Sequence, residues 1–183
     1  MKILKTMGVK TVDSPEYEAD DLAGTAAKMA AAAGKEVYLL TGDRDYFQLI
    51  EEDIHVLMTK KGITNLEVYD VDRIQKEYGM TPKQLIDLKG LMGDSSDNIP
   101  GVPGIGEKTG MKLIQDFHSM EGVYENLDAI SGKKRKENLE EFKQQAFLSK
   151  KLGTIITTIP LDFTLNDLER KPYDMDALRD LYT

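Results

Sequence analysis

The sequence predicts an α/β fold that gives way to a nearly all-helical lobe. Three observations carry this reading. A short apolar run, Glu36–Thr41, is bracketed by Gly34 and Gly42 and follows an Ala-rich stretch over residues 16–33, which reads as a helix leading into a buried parallel strand. Two further apolar runs, Ile54–Thr59 and Leu66–Tyr69, flank the turn-forming Lys60-Lys61-Gly62 and read as a hairpin. From residue 71 to residue 153 the apolar spacing becomes helical, broken only at Gly and Pro.

The elements follow in order. Residues 2–7 read as the end of a helix stopped by Gly8, and Val9–Val12 alternates as a short strand. Asp13-Ser14-Pro15 signals the start of the helix over 16–33, and Gly34 is its expected left-handed cap. The strand over 36–41 runs into Gly42-Asp43-Arg44-Asp45 and a helical turn, Tyr46–Ile50, for which Asp45 is the candidate N-cap. Asp70 caps a helix through Tyr78 that Gly79 ends. Thr81-Pro82 opens the next helix, through Met92, with Leu85, Ile86, Leu88, Leu91 and Met92 as its apolar face. Further helices are expected over Glu107–Phe117, 119–127 and Lys133–Leu152, the last with a basic start. Thr154–Phe163 reads as extended, and Asp174–Tyr182 as a final helix. The expected organisation is therefore 1–70 as α/β core, 71–153 as helical lobe, and 154–183 as an extended segment and helix packing on the core.

The 183 residues, 40% hydrophobic and 31% charged, suit a globular protein with a sizeable core. The chain has no cysteine, which removes a disulfide framework and any thiolate metal site and fits a reducing compartment. No apolar run approaches the roughly 18 residues of a membrane span, so no membrane partner is expected. The net charge of −8 argues against nucleic-acid binding when averaged over the chain. The charges separate, however. Residues 13–21 and 43–53 are acidic, whereas Lys133-Lys134-Arg135-Lys136 and Lys150-Lys151 are basic.

Seven acids sit at turns or helix starts beside apolar elements: Glu18, Asp20, Asp21, Asp43, Asp45, Asp94 and Asp97. The macrodipole would account for one or two of Glu18, Asp20 and Asp21, and Asp45 can serve as a helix N-cap, whereas Asp43 has no such role. Asp94 and Asp97 share a face if their segment is helical, and Asp43 and Asp45 share a side if theirs is extended. Two carboxylates about 4 Å apart repel by roughly 4 kcal/mol at an effective dielectric near 20, so convergence calls for cations between them. With no Cys and only His55 and His118, the ligands are oxygen, which favours Mg²⁺ or Mn²⁺ over Zn²⁺. Two such ions about 3.5–4 Å apart can clamp an in-line attack on phosphorus.

After Asp97 and the linking Asn98-Ile99-Pro100 comes Gly101-Val102-Pro103-Gly104-Ile105-Gly106, then Glu107-Lys108-Thr109. A Gly-rich turn opening a helix offers backbone N–H groups to an anion. Val102 and Ile105 serve as apolar pegs, and Lys108 and Thr109 reinforce a phosphate contact. This is the pattern of a helix-hairpin-helix, which grips the nucleic-acid backbone irrespective of sequence.

Tyr17-Glu18-Ala19-Asp20-Asp21, Thr41-Gly42-Asp43-Arg44-Asp45 and the stretch Gly93–Thr109, with Leu148–Leu152, together resemble the 5′-nuclease (5′-3′ exonuclease) domain of the bacterial DNA polymerase I family, a branch of the flap endonucleases. The resemblance covers almost the whole chain. It implies a partial PIN-like parallel sheet flanked by helices, with a lobe carrying the helix-hairpin-helix. It implies hydrolysis of phosphodiester bonds at DNA 5′ flaps, nicks and RNA primer–DNA duplexes, in replication and repair in the bacterial cytoplasm. Glu18, Asp20, Asp21, Asp43, Asp45, Asp94 and Asp97 match the family's ligands for two Mg²⁺ or Mn²⁺ ions and its catalytic acids. Gly101, Val102 and Ile105 match a K⁺ site, while Gly104, Gly106, Lys108, Thr109, Lys133 and Lys134 are the expected DNA contacts. A polymerase domain would accompany the nuclease in the full-length protein, and a monomer is expected.

The family also has a first strand ending in an aspartate ligand and a basic helical arch, which these residues do not include. The expectation is an N-terminally truncated domain that keeps duplex binding and part of the metal site but cleaves poorly. Two alternatives stay open: a noncatalytic, sequence-independent DNA-binding module, and a metal-dependent phosphatase for small esters, hinted at by Asp43-Arg44-Asp45.

Overall fold

Three strands form a small mixed sheet in the order β1 (Val37–Thr41), β2 (Ile54–Thr59), β3 (Leu66–Tyr69). The computed structural model describes residues 2–59 and 65–182, so the turn expected at Lys60-Lys61-Gly62 lies outside the described residues. β2 and β3 pair antiparallel, with Val56 opposite Tyr69 and Thr59 opposite Leu66. The Thr59 hydroxyl donates to the Thr41 carbonyl at 3.5 Å, so β1 and β2 end at the same edge of the sheet. Alternation along β2 buries Ile54, Val56 and Met58, and the last two join Phe47, Ile50, Tyr69 and Ile74 in one core. β1 departs from expectation. Tyr38 and Leu40 are 50% and 60% exposed, so this strand has one open face rather than two covered ones. An apolar run does not by itself distinguish the two cases.

The chain divides into two compact units. The first takes the described residues up to Val37 together with those from Ile156 onward. It holds α1 (Lys2–Thr6), α2 (Ala19–Ala32) and, near the other end, α9 (Met175–Tyr182). Its two chain ends are stitched by Lys171 N–H to the Gly8 carbonyl, 3.1 Å, and Asp174 N–H to the Thr6 carbonyl, 2.9 Å. Val9–Val12 forms no strand. α2 starts later than the expected residue 16, because the Ser14 hydroxyl accepts from the N–H groups of Glu16 and Tyr17, a local turn that competes with the helix. Gly34 follows α2 at φ +72°, as expected of a left-handed cap.

The second unit, Tyr38–Ile155, holds the sheet core and a helical core. Asp70 caps α3 (Val71–Tyr78) by accepting from Arg73 N–H, and Gly79 ends it at φ +64°. Thr81 and Gln84 cap α4 (Gln84–Met92) reciprocally: the Gln84 side chain accepts from Thr81 N–H at 2.8 Å and the Thr81 hydroxyl from Gln84 N–H at 3.4 Å. Leu88 and Leu91 are buried as expected, but Met92 is 37% exposed and leaves the apolar face assigned to it. α5 (Glu107–Phe117) and α6 (Met120–Glu125) follow. The helix expected over Lys133–Leu152 is two helices, α7 (Lys133–Glu141) and α8 (Lys143–Leu152). They are separated at Phe142, which packs against the helical core at φ −99°, ψ 18°. No Gly or Pro marks the break, so packing overrides the local sequence there. Thr154–Phe163 joins no strand. Side chains satisfy its backbone instead: the Ile155 N–H bonds to Gln48 and the Ile156 N–H to Asp21.

Candidate metal centre

The acidic loop after β1 folds into a 3₁₀ helix, Arg44–Leu49, and its cap is not the expected one. Asp43 is the N-cap, accepting from the Asp45 N–H at 2.9 Å. Capping uses one oxygen of Asp43 and frees the Asp45 carboxylate to reach α4. Asp94 and Asp97 are not on a helix either. A tight loop carries them, closed by Asp94 N–H to the Ile99 carbonyl, 2.8 Å, and Ile99 N–H to the Asp94 carbonyl, 2.7 Å. Asp94 Oδ1 accepts from the Ser96 N–H and hydroxyl. Asn98, at φ +57°, supplies the left-handed residue the loop needs, which Asn tolerates better than most side chains.

The outcome is convergence. Carboxylate oxygens of Asp45, Asp94 and Asp97 all lie within 4.8 Å of one another. In their midst is the ammonium of Lys89, 3.1 Å from Asp94 Oδ2 and 2.9 Å from Asp97 Oδ2, and closer still to Asp45 Oδ2. Lys89 rises from α4 and is 8% exposed. Burial alone would lower its pKa, but the hydrogen bonds it donates to Asp45, Asp97 and Asp94 outweigh it and hold the ammonium charged well above the ordinary range. Burial pushes the Asp45 carboxyl up despite the Lys89 contact, while the Ser96 hydrogen bond, helped by Lys89, holds Asp94 down at about 2. Three acids share one ammonium, so the cluster is short of positive charge. Its donor set, carboxylate oxygen around a bound cationic group, fits a hard divalent ion.

Acid should loosen this loop through Asp94. Its folded carboxyl titrates near 2 against an ordinary 3.8, so it is a depressed acid. Its stabilisation is present above pH 3.8 and is lost as pH falls through that value toward about 2. In a chelator, the melting temperature is expected to drop across that window, by the equivalent of about 1–2 kcal/mol once solvent screening is allowed for. The drop should be smaller in Asp94→Asn, and an equal drop in that variant would show that Asp94 is not the group responsible. Asp45, raised by burial, works in the opposite direction and is common to both proteins.

The other expected ligands are Glu18, Asp20, Asp21 and Asp43. Glu18 stands at the N-cap of α2 without a side-chain cap bond. Asp20 Oδ1 accepts from the Asp21 N–H, and Asp21 Oδ1 accepts from the Ile156 N–H at 2.7 Å. All three belong to the first unit, whereas Asp43, Asp45, Asp94 and Asp97 belong to the second. Sequence reasoning missed Lys89. The signal was a lysine on the buried side of an apolar helix, in Leu88-Lys89-Gly90-Leu91, five residues before Asp94.

The hairpin grows out of the same loop. Val102 and Ile105 are buried in the helical core as pegs, 2% and 4% exposed. The Val102 N–H bonds to the Leu91 carbonyl at 2.7 Å, and the Gly101 carbonyl accepts from Gln145. α5 begins at Gly106 with no side-chain cap, and nothing lies within 4 Å of where a Gly106 Cβ would stand. The helix start therefore faces open space. Lys108, Thr109, Lys112 and Arg135 line a hollow of about 200 Å³ beside it. Lys133 and Lys134 are exposed at the start of α7. Among the described residues, no helix is long and apolar enough to cross a membrane.

Two family models match nearly the whole chain. Residues 1–79 match the family described as 5′-3′ exonuclease, N-terminal resolvase-like domain, and residues 80–176 match 5′-3′ exonuclease, C-terminal SAM fold. DNA polymerase I of Bacillus subtilis is 47% identical over 177 residues, which is 97% of this chain and 20% of that protein. The chain thus spans about a fifth of the length of that relative. The bacteriophage T5 flap endonuclease, in a pseudo-enzyme-product complex with DNA and metal ions, is 28% identical with a TM-score of 0.67, over 77% of this chain and 51% of that one. The T5 5′-exonuclease with divalent zinc ions bound is 29% identical with a TM-score of 0.65, over 77% and 51%.

Proposed function

Since the chain belongs to the 5′-3′ exonuclease family, we propose that it forms the metal-holding and duplex-gripping part of a structure-specific nuclease that hydrolyses phosphodiester bonds at DNA 5′ ends and flaps. One observation carries the reading. The carboxylates of Asp94 and Asp97 converge with Asp45, and the loop that holds them leads straight into the Gly101–Gly106 hairpin, where α5 starts without a side-chain cap. Divalent ions held by Asp45, Asp94 and Asp97 would activate water and stabilise the leaving oxygen. We assign Glu18, Asp20, Asp21 and Asp43 to the same ion set, and two Mg²⁺ or Mn²⁺ ions to the whole. Gly104, Gly106, Lys108, Thr109, Lys133 and Lys134 hold the duplex backbone, with K⁺ on the carbonyls of Gly101, Val102 and Ile105. Gly101 and Val102 carbonyls each accept one protein hydrogen bond and keep a second lone pair for such an ion. RNA primer–DNA duplexes are a further substrate, the bacterial cytoplasm the setting, and a polymerase domain the companion.

The test pairs binding with cleavage. A 5′-flap duplex should bind without sequence preference, with a slope of log affinity on log salt of about −3 for phosphates met by Lys108, Lys133 and Lys134. Cleavage of that duplex should require Mg²⁺ or Mn²⁺, and small phosphate esters should not be hydrolysed. Salt-independent binding, or ester hydrolysis without flap cleavage, would sink the reading.

A further inference from the structure

The cation seated among the three carboxylates belongs to the protein itself. Lys89 Nζ meets Oδ2 of Asp45, Asp94 and Asp97, the oxygens best placed to ligate an ion. A divalent ion that took these atoms at about 2.1–2.5 Å would stand where the ammonium nitrogen now stands. Both cannot occupy that point. We infer that Lys89 is an exchangeable internal counter-ion: its ammonium holds the carboxylates together in the metal-free protein and is displaced when a divalent ion enters. The inference rests on the metal reading given above.

Two features distinguish this from an ordinary buried ion pair. The first is the charge deficit, three carboxylates against one ammonium, which an ion of twice the charge offsets better. The second is the way the lysine is mounted. Its stem lies against Gly153 just beyond α8, where a Cβ would come 2.8 Å from Lys89 Cδ and 3.4 Å from Cε. The Gly153 carbonyl is itself fixed by Gln48 at 3.0 Å. The stem thus packs closely against the Gly153 backbone, and we expect displacement to be confined to the last bonds of the side chain. A gain of metal costs one set of hydrogen bonds to Nζ and leaves α4 in place.

Two measurements test it. In the unaltered chain, reductive methylation of lysines is followed by mass spectrometry with and without Mn²⁺. Lys89 Nζ is expected to be protected without the ion and to react severalfold faster with it, while Lys150, paired with Asp87 and Glu121, keeps its rate. In Lys89→Met, which keeps the stem and removes the charge, Mn²⁺ is expected to bind about tenfold more tightly by calorimetry. The same variant should melt lower in chelator and gain more from Mn²⁺ than the parent. A structural lysine would give the opposite: unchanged reactivity, and equal or weaker Mn²⁺ binding in the folded variant. Either result overturns the exchange while leaving the metal reading intact. Failure of Mn²⁺ to bind either protein overturns both. Should Lys89→Met not fold, the methylation rates of the unaltered chain decide alone.

Discussion

Replacing Asp94 and Asp97 together by Asn is expected to abolish Mg²⁺-dependent cleavage of a 5′-flap duplex, a loss on the order of 10³ or more, while duplex binding persists or tightens. The two halves of the effect separate because they arise on different atoms. Asparagine keeps the shape of the loop, since an amide oxygen in place of Asp94 Oδ1 can still accept from the Ser96 N–H, now held at 2.9 Å. It removes two of the three charges that attract a divalent ion. The backbone N–H groups at the start of α5 and the side chains of Lys108, Thr109, Lys133 and Lys134 are untouched. Taking away negative charge lowers the repulsion that a phosphate backbone meets, most visibly at low salt. The check is a single-turnover cleavage assay in Mg²⁺ beside fluorescence anisotropy of the uncut duplex in chelator. Cleavage that survives the double change would show that the ions sit elsewhere. Binding lost along with cleavage would show instead that the loop had collapsed.

Much of this site is written in the sequence as local pattern. Asp94, Asp97 and the Gly101–Gly106 turn lie within one short stretch, and the helix starts at Asp70 and Thr81 and the stops at Gly34 and Gly79 are capping chemistry that reads directly. Two kinds of information were out of reach. One is which carboxylate does which job. Asp43 rather than Asp45 caps the 3₁₀ helix, and the choice depends on α4 offering Lys89 to Asp45, a contact between residues 44 positions apart. The other is how many sides of an element are covered. The apolar run of β1 and the helical run over Lys133–Leu152 look continuous, yet Tyr38 and Leu40 face outward and Phe142 breaks the helix. Periodicity reports a preference for burial, and the partners that satisfy it come from distant parts of the chain.

The hairpin makes the second large prediction, through glycines that look equivalent in the sequence. Gly101→Ala is expected to destabilise the chain by more than about 3 kcal/mol, lowering the melting temperature by about 6–12 °C. Gly101 sits at φ +60°, and a Cβ there would come 2.2 Å from Gly93 N and 2.4 Å from Met92 C. These are backbone atoms at the end of α4, so they cannot give way as the tip of a side chain would. Nor can Gly101 retreat easily, because its N–H donates to the buried Ser149 hydroxyl at 3.1 Å and its carbonyl accepts from Gln145 at 2.6 Å. Gly104 is also left-handed, at φ +80°, but a Cβ there would meet only Asn138 Nδ2 at 3.4 Å, so Gly104→Ala should cost about 1–2 kcal/mol for the backbone alone. Gly106 has φ −90° and open space before it, so Gly106→Ala should melt with the parent protein. Its added methyl should nevertheless weaken duplex binding, because it stands where a phosphate would approach the first N–H groups of α5. Thermal melts of the three variants separate these roles, with duplex affinity measured beside them. If Gly101→Ala melts like the parent, the close approach of Gly93 and Gly101 is not what ties the carboxylate loop to the hairpin. If Gly106→Ala binds DNA as the parent does, the phosphate does not meet the helix start.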